Sequence, residues 1–245
     1  MTAYAIPEIL FEDNHLLVAV KPPGLPSQSG SFAGPDMLGL LKRDLAVRHH
    51  KPGEAYLGLV HRLDQPTSGL MVFAKTSKAA SRLSEAFRTR AVKKFYLAVT
   101  REIPEGLQGV MADSITKKEV DGKVQIWPGP GGYPAELKWI LLDKDQVKGE
   151  ALLLIDLITG RKHQIRAQME AHKIPLLGDR RYGRGDARDL EVPTVALHAC
   201  GLSFPHPVRK EPLTFWLPPD INPSFPKEAA SIFQAYLAEN SSKLL

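Results

Sequence analysis

The 245-residue chain has a single cysteine, Cys200, which excludes an internal disulfide and fits a reducing compartment. No apolar run approaches the roughly 18 residues that a membrane span needs. Met1 to Glu12 lacks the basic segment followed by an apolar stretch that marks a signal peptide. A cytoplasmic protein with no membrane partner is therefore expected. There is no Gly-x-x-x-x-Gly-Lys phosphate loop and no Gly-x-Gly-x-x-Gly after a strand, so no nucleotide cofactor is indicated. The eight histidines never fall at a ligand spacing such as His-Glu-x-x-His, and no metal is expected. Ser68 lacks the Gly-x-Ser-x-Gly setting of a hydrolase nucleophile. Internal repeats, low-complexity tracts and a clear linker are missing too, which favours one domain over residues 1–245.

What is present is an ordinary globular composition, 43% hydrophobic and 24% charged, with enough apolar residues for a sizeable core. The formal net charge of +5 tilts toward a polyanionic partner without establishing one.

The most informative stretch is residues 56–75. Two apolar runs, Tyr56 to Val60 and Leu70 to Ala74, have the length and composition of buried strands. Between them stand His61, Arg62 and Asp64, then a Pro66-Thr67-Ser68-Gly69 turn. Charged groups between buried runs are costly unless paired, and chains accept that cost mostly where chemistry is done. Three readings of Asp64 stand at this point: a turn cap or partner of Arg62, a metal ligand without company, or a nucleophile or base kept ionised by a cation. A second polar island is Thr159-Gly160-Arg161-Lys162-His163-Gln164-Ile165-Arg166. Arg166 follows His163 by one helical turn, near a helix start, where the dipole disfavours cations unless they face an anion. That anion is a carboxylate such as Asp64 or a phosphate; the bland alternative is a solvated basic turn. Tyr96, after two lysines on an apolar strand, is either a core residue or a stacking platform.

The remaining pattern predicts short strands around Asp13-Asn14-His15, a mobile Ser/Gly loop over 27–35, and helices from Asp36 and over Ser77–Thr89. It further predicts a strand over Val92–Val99, hairpins with an irregular excursion over 101–134, and strands over Leu137–Leu142 and Ala151–Ile158. The rest reads as a helix over His163–His172, a charged loop over Arg180–Asp189, strands over Val195–Leu202 and Leu213–Leu217, and an amphipathic helix at 227–239. Strands in adjacent pairs predict an α+β fold with a mainly antiparallel sheet.

Taken together, His61-Arg62-Leu63-Asp64-x-x-Thr67-Ser68-Gly69-Leu70 with Ala74-Lys75, and the 159–166 island, resemble the signatures of the RluA-type pseudouridine synthase family. Lys21-Pro22-x-Gly24, Lys94-Phe95-Tyr96, Pro175-x-Leu177-Gly178-Asp179-x-x-Tyr182-Gly183, Leu197-His198-Ala199 and His206-Pro207 resemble its other motifs, in order, over residues 9–219. The resemblance implies a single catalytic domain with a mixed, mainly antiparallel sheet, flanking helices and a central active-site cleft. It also implies isomerisation of uridine to pseudouridine in transfer or ribosomal RNA, without cofactor or metal. Asp64 would be the nucleophile, Arg166 its counter-ion and Tyr96 the residue stacked on the uracil. Arg62 would fill the gap left by the flipped base, and His61, Thr67, Arg161 and His163 would bind substrate. Arg82, Arg88, Arg90, Lys93 and Lys94 would line the RNA path. A close approach of Asp64 and Arg166 is expected. So is a monomer without the small N-terminal RNA-binding domain of some relatives. Leu137 stands where many relatives have threonine, and the Pro/Gly-rich 127–134 stretch has no counterpart in the motifs. The competing readings are a non-catalytic RNA-binding or chaperone protein and a nucleoside hydrolase, the latter lacking a second matched carboxylate.

Overall fold

The structure is a computed structural model that describes residues 5–30, 34–50, 52–116, 120, 123–124, 126–127 and 131–244. In chain order it forms β1 (Ile9–Glu12), β2 (Leu16–Lys21), α1 (Met37–Arg48), β3 (Gly58–Leu59), β4 (Ser68–Ala74), α2 (Ser77–Arg88), β5 (Lys93–Thr100) and β6 (Gln108–Ile115). There follow β7 (Ile126–Trp127), β8 (Tyr133–Asp145), β9 (Glu150–Asp156), α3 (Gln164–Ala171), α4 (Ala187–Glu191), β10 (Leu197–Pro205), β11 (Pro212–Trp216) and α5 (Ala229–Leu244). The α+β class and the antiparallel pairing agree with the sequence reading: β1–β2, β2–β4, β3–β4, β5–β9, β8–β9, β6–β8 and β6–β7 all run antiparallel.

Several expectations need correction. The first apolar run yields only the two-residue β3, because Tyr56 is exposed and the chain then turns away into the polar stretch. Ser27 is buried and hydrogen-bonded and Ser29 binds the Asp36 carboxylate, so the start of the supposed mobile loop is fixed; residues 31–33 lie outside the described residues. The Arg180–Asp189 loop contains the start of α4, capped by the Asp186 carboxylate on the Asp189 N–H. β8 is much longer than Leu137–Leu142, and residues 128–130 of the Pro/Gly-rich excursion lie outside the described residues.

The chain divides into two compact units, Met1–Val92 with Leu202–Phe215, and Lys93–Gly201 with Trp216–Leu245. In the first unit β4 lies beside β2 and pairs β3, while the end of β10 and β11 form a hairpin closed by Ser203 and Thr214 hydroxyls at 2.9 Å. β2 and β4 are buried at every residue, as their continuous Val/Leu/Phe runs require when both faces are covered. α1 begins at Asp36, whose carboxylate accepts the Gly39 N–H, and buries Met37, Leu38, Leu40, Leu41 and Leu45. Glu12 ties the end of α1 to the strands through Arg48 at 2.8 Å and Lys75 at 2.6 Å. Burial raises the Glu12 pKa, but its pairing with Lys75, His49 and Arg48 outweighs this and brings it down to about 2.

In the second unit the strand order is β10-β5-β9-β8-β6-β7. β10 runs opposite to β5, since Val99 N–H donates to Ala196 C=O while Phe95 lies beside Gly201. One face packs Phe95, Leu97, Leu152, Leu154 and Cys200 against Phe233 and Ala229 of α5. Burial pushes the Cys200 thiol well above its ordinary pKa, consistent with the plain reading of a core cysteine. Phe233 is wholly buried, so Phe233→Ala should lower the unfolding free energy in a urea titration by about 3–5 kcal/mol. A loss below 1 kcal/mol would show that α5 does not complete this core.

Candidate active site

Asp64 sits in the turn that leads into β4. Its carbonyl accepts the Thr67 N–H at 3.0 Å, which closes the turn. Both its neighbours are pinned to the segment after β2. Leu63 exchanges two hydrogen bonds with the Ser27 hydroxyl, donating its N–H at 3.0 Å and accepting at 2.7 Å. The Gln65 carbonyl accepts the Gly24 N–H at 2.9 Å, and the Gln65 amide donates to the Gly24 carbonyl at 3.1 Å. Asp64 itself is partly exposed and Arg62 is exposed. Thr67 is buried, so its N–H bond to Asp64 is what it visibly contributes. His61 Nε2 accepts the Val72 N–H at 3.0 Å, which leaves a neutral ring proton only on Nδ1, and the ring stacks on Phe87 of α2 at 4.7 Å.

In the second unit Tyr96 lies on β5, nearly buried and opposite Ile155. The Thr159–Arg166 island is held to β8 by a polar lattice. Glu136 N–H donates to the Thr159 hydroxyl at 2.8 Å, and the Glu136 carbonyl accepts from the Gln164 amide at 3.1 Å. Gln164 also accepts the Arg161 N–H at 3.0 Å and donates to Gln168 at 3.0 Å. Gln168 continues to Asp113 on β6 at 2.7 Å. These two glutamines, four residues apart, explain polar side chains on the buried face of α3. Arg161 donates to the Pro134 carbonyl at 3.1 Å and covers the Tyr133 ring at 5.2 Å.

His163 enters α3 with φ 54°, a left-handed conformation that costs on the order of 1 kcal/mol or more for a side chain with a Cβ. Its Nδ1 lies 3.0 Å from the Tyr182 hydroxyl, which also accepts the Val124 N–H at 2.9 Å. Arg166, three residues on, makes a two-pronged bond to Asp179, with Nε and Nη2 each 2.7 Å from a carboxylate oxygen. The guanidinium lies 5.2 Å over the Tyr182 ring. Burial pushes the Asp179 carboxyl up, but Arg166 and the N–H groups of Tyr182 and Arg181 outweigh it and hold it below its ordinary value. Burial likewise raises the Tyr182 phenol.

Asp179 and Tyr182 are the residues that sequence reasoning missed, having placed them only in a closing motif. Only the structure shows why they sit there: Gly178 has φ +72° and an added Cβ would lie 2.3 Å from the Thr194 carbonyl oxygen, so the turn presenting Asp179 admits only glycine. Gly183 is equally confined, 2.3 Å from the Asp179 carbonyl oxygen by the same measure. Asp189, wholly buried, accepts the Gly178, Arg184 and Gly185 N–H groups and pairs with Arg101 at 2.8 Å, so this segment is a rigid anchor rather than a charged loop. Of the arginines expected along an RNA path, Arg82 donates to the Pro207 carbonyl at 2.7 Å and Arg88 pairs with Glu85.

The structure thus gathers His61, Arg62, Asp64 and Thr67 on one turn of the first unit, and Arg161, His163 and Arg166 around the start of α3 in the second, which also holds Tyr96. Among the described residues no group of three His, Cys, Asp or Glu side chains is placed to hold a metal ion, and no helix is long and apolar enough to cross a membrane.

The model of the RNA pseudouridylate synthase family matches residues 15–171, which include Asp64, Tyr96 and Arg166. The chain is 34% identical over 207 residues to a ribosomal large subunit pseudouridine synthase C of Vibrio parahaemolyticus, covering 83% of this chain and 62% of that protein. It is also 34% identical to a ribosomal large subunit pseudouridine synthase D of Nitrosomonas europaea, covering 95% of this chain and 66% of the relative. The chain thus spans somewhat less than two thirds of the length of these relatives. Among solved structures, human RNA pseudouridylate synthase domain containing 4 superposes with a TM-score of 0.68 at 28% identity, covering 93% of this chain and 92% of the other. The motifs, the α+β fold and the family match agree, and the chain belongs to the RNA pseudouridylate synthase family.

Proposed function

We propose that this chain isomerises uridine to pseudouridine in RNA, with Asp64 as nucleophile. The observation that carries the reading is the Asp64 turn within the family match, with both neighbours of the carboxylate bonded to a second segment. The target uridine leaves its stack. The Asp64 carboxylate attacks the nucleoside, the bond between ribose C1′ and uracil N1 breaks, and the base turns. A bond forms from C1′ to carbon 5 while the bond between Asp64 and the nucleoside breaks and frees the carboxylate, the proton on carbon 5 leaves, and N1 takes up a proton. Atoms and electrons balance within the substrate, so the reaction needs no redox partner. Arg166 supplies the counter-charge to the reacting carboxylate, worth more with water excluded. Tyr96 stacks on the uracil near the departing proton, and Arg62 enters the gap left by the flipped base. His61 and Thr67 support the nucleophile turn, while Arg161 and His163 meet the RNA at the start of α3.

We further propose that the substrate is large-subunit ribosomal RNA rather than transfer RNA, on the names of the curated relatives. RNA carrying tritium on uridine carbon 5 tests both readings. The protein should release tritium from large-subunit ribosomal RNA and not from transfer RNA. Binding of both without release would favour the RNA-chaperone reading, and release of free uracil the hydrolase.

A further inference from the structure

Tyr133 opens β8, inside the Pro/Gly-rich 127–134 stretch for which the motifs have no counterpart. It stands opposite Ile115 of β6, yet the two differ in burial. Ile115 packs with Ala135, Ala167 and Tyr182 in the core, whereas Tyr133 keeps 44% of its surface exposed. The ring therefore does little for folding. Arg161 covers it, with the guanidinium 5.2 Å over the ring. That guanidinium is held in place, because its Nε donates to the Pro134 carbonyl at 3.1 Å. The two segments are joined a second time: Glu136 N–H donates to the Thr159 hydroxyl at 2.8 Å, and Thr159 N–H donates to the Glu136 carbonyl at 3.1 Å. Tyr133 and the start of α3 thus share one fixed frame, with Lys162 exposed next to Arg161. A solvent-facing aromatic ring under a guanidinium is an arrangement on which unpaired bases stack, and the cations suit the adjoining phosphates.

We propose that Tyr133, with Arg161 over it, is a platform that stacks one unpaired base of the substrate RNA. Tyr96 is the ring assigned to the target uracil, so Tyr133 takes a different base. In a double helix the bases stack on one another, so the platform favours single-stranded or looped RNA, and it is tolerant of which base it holds. The ligand, though not the platform, rests on reading RNA as the substrate.

The affinity for a short fluorescein-labelled oligouridine, followed by anisotropy, tests this. Tyr133→Ala should bind about 5- to 150-fold more weakly than wild type, the scale of one base stacked on an aromatic ring. Tyr133→Phe should bind within about twofold of wild type, because the ring is kept. Wild-type affinity in Tyr133→Ala, or a loss in Tyr133→Phe as large as in Tyr133→Ala, would overturn the proposal. Should Tyr133→Ala fail to fold, the wild-type protein decides. Irradiated with RNA carrying 5-iodouridine and then digested, it should yield a peptide cross-linked at Tyr133; cross-links at other residues alone would overturn the platform. Neither measurement needs turnover. If oligouridine binds as expected while no tritium leaves RNA, the isomerase reading falls and the platform stands. If tritium is released and Tyr133→Ala binds like wild type, the platform falls and the isomerase reading stands.

Discussion

Asp64→Asn should reduce tritium release from RNA by at least about 10⁴-fold, the scale seen when a nucleophile is removed and binding groups remain. The change is nearly isosteric, and the bonds that hold the turn use the backbone of Asp64, Leu63 and Gln65 rather than the Asp64 carboxylate. The variant should therefore fold and bind RNA. What it loses is an anionic oxygen able to form a bond to the nucleoside. Loss of activity with RNA affinity kept within about threefold separates this from a binding defect. A variant that keeps a tenth of wild-type turnover would place the nucleophile elsewhere.

Asp179→Asn should have the second largest effect, on stability and on rate together. Asp179 is fully buried and Arg166 nearly so, and removing one partner of a buried pair strands the other charge. Such losses cost about 3–5 kcal/mol. Replacing both partners with apolar residues, Arg166→Met with Asp179→Leu, should restore part of that stability while abolishing activity, because the proposed counter-charge goes with it. The pH dependence has a fixed sign. Asp179 has its folded pKa held below the unfolded value, so its contribution is present above the ordinary carboxylate range and is lost as pH falls through the folded value. Wild type should lose stability faster than Asp179→Asn on acidification below about pH 4. Parallel acid denaturation curves would show that the pair contributes nothing to folding. In the rate, an unclamped Arg166 should cost about 10²-fold in kcat.

Much of this was legible in the sequence because the informative groups are local. The Asp64 turn and the Arg161–Arg166 island are continuous segments, and their polar residues stand out against apolar neighbours. Asp36 and Thr76 cap their helices as their residue types predict. The supporting residues were not legible, because their partners lie far along the chain. Lys21 meets the Gln65 carbonyl 44 residues later, and Asp113 meets Gln168 at a separation of 55. Nothing in Lys21-Pro22-Pro23-Gly24 says that the lysine points inward. Lysine is rarely fully buried, and only the carbonyls of Pro22, Leu25 and Gln65 make it tolerable here. The Arg180–Asp189 stretch misled for the same reason: a run of arginines and glycines reads as solvated until Asp189 is seen to collect four donors. Tyr56–Val60 misled in the opposite direction, since apolar content alone does not extend a ladder along a whole run: only Gly58 and Leu59 pair with β4.

The most direct test of the central claim is a map of pseudouridines in large-subunit ribosomal RNA from cells lacking the gene, with the wild-type or the Asp64→Asn gene restored. One or a few positions should read as uridine in the deletion, return to pseudouridine with the wild-type gene, and stay uridine with Asp64→Asn. A map identical in all three strains, or restored by Asp64→Asn, would contradict the account.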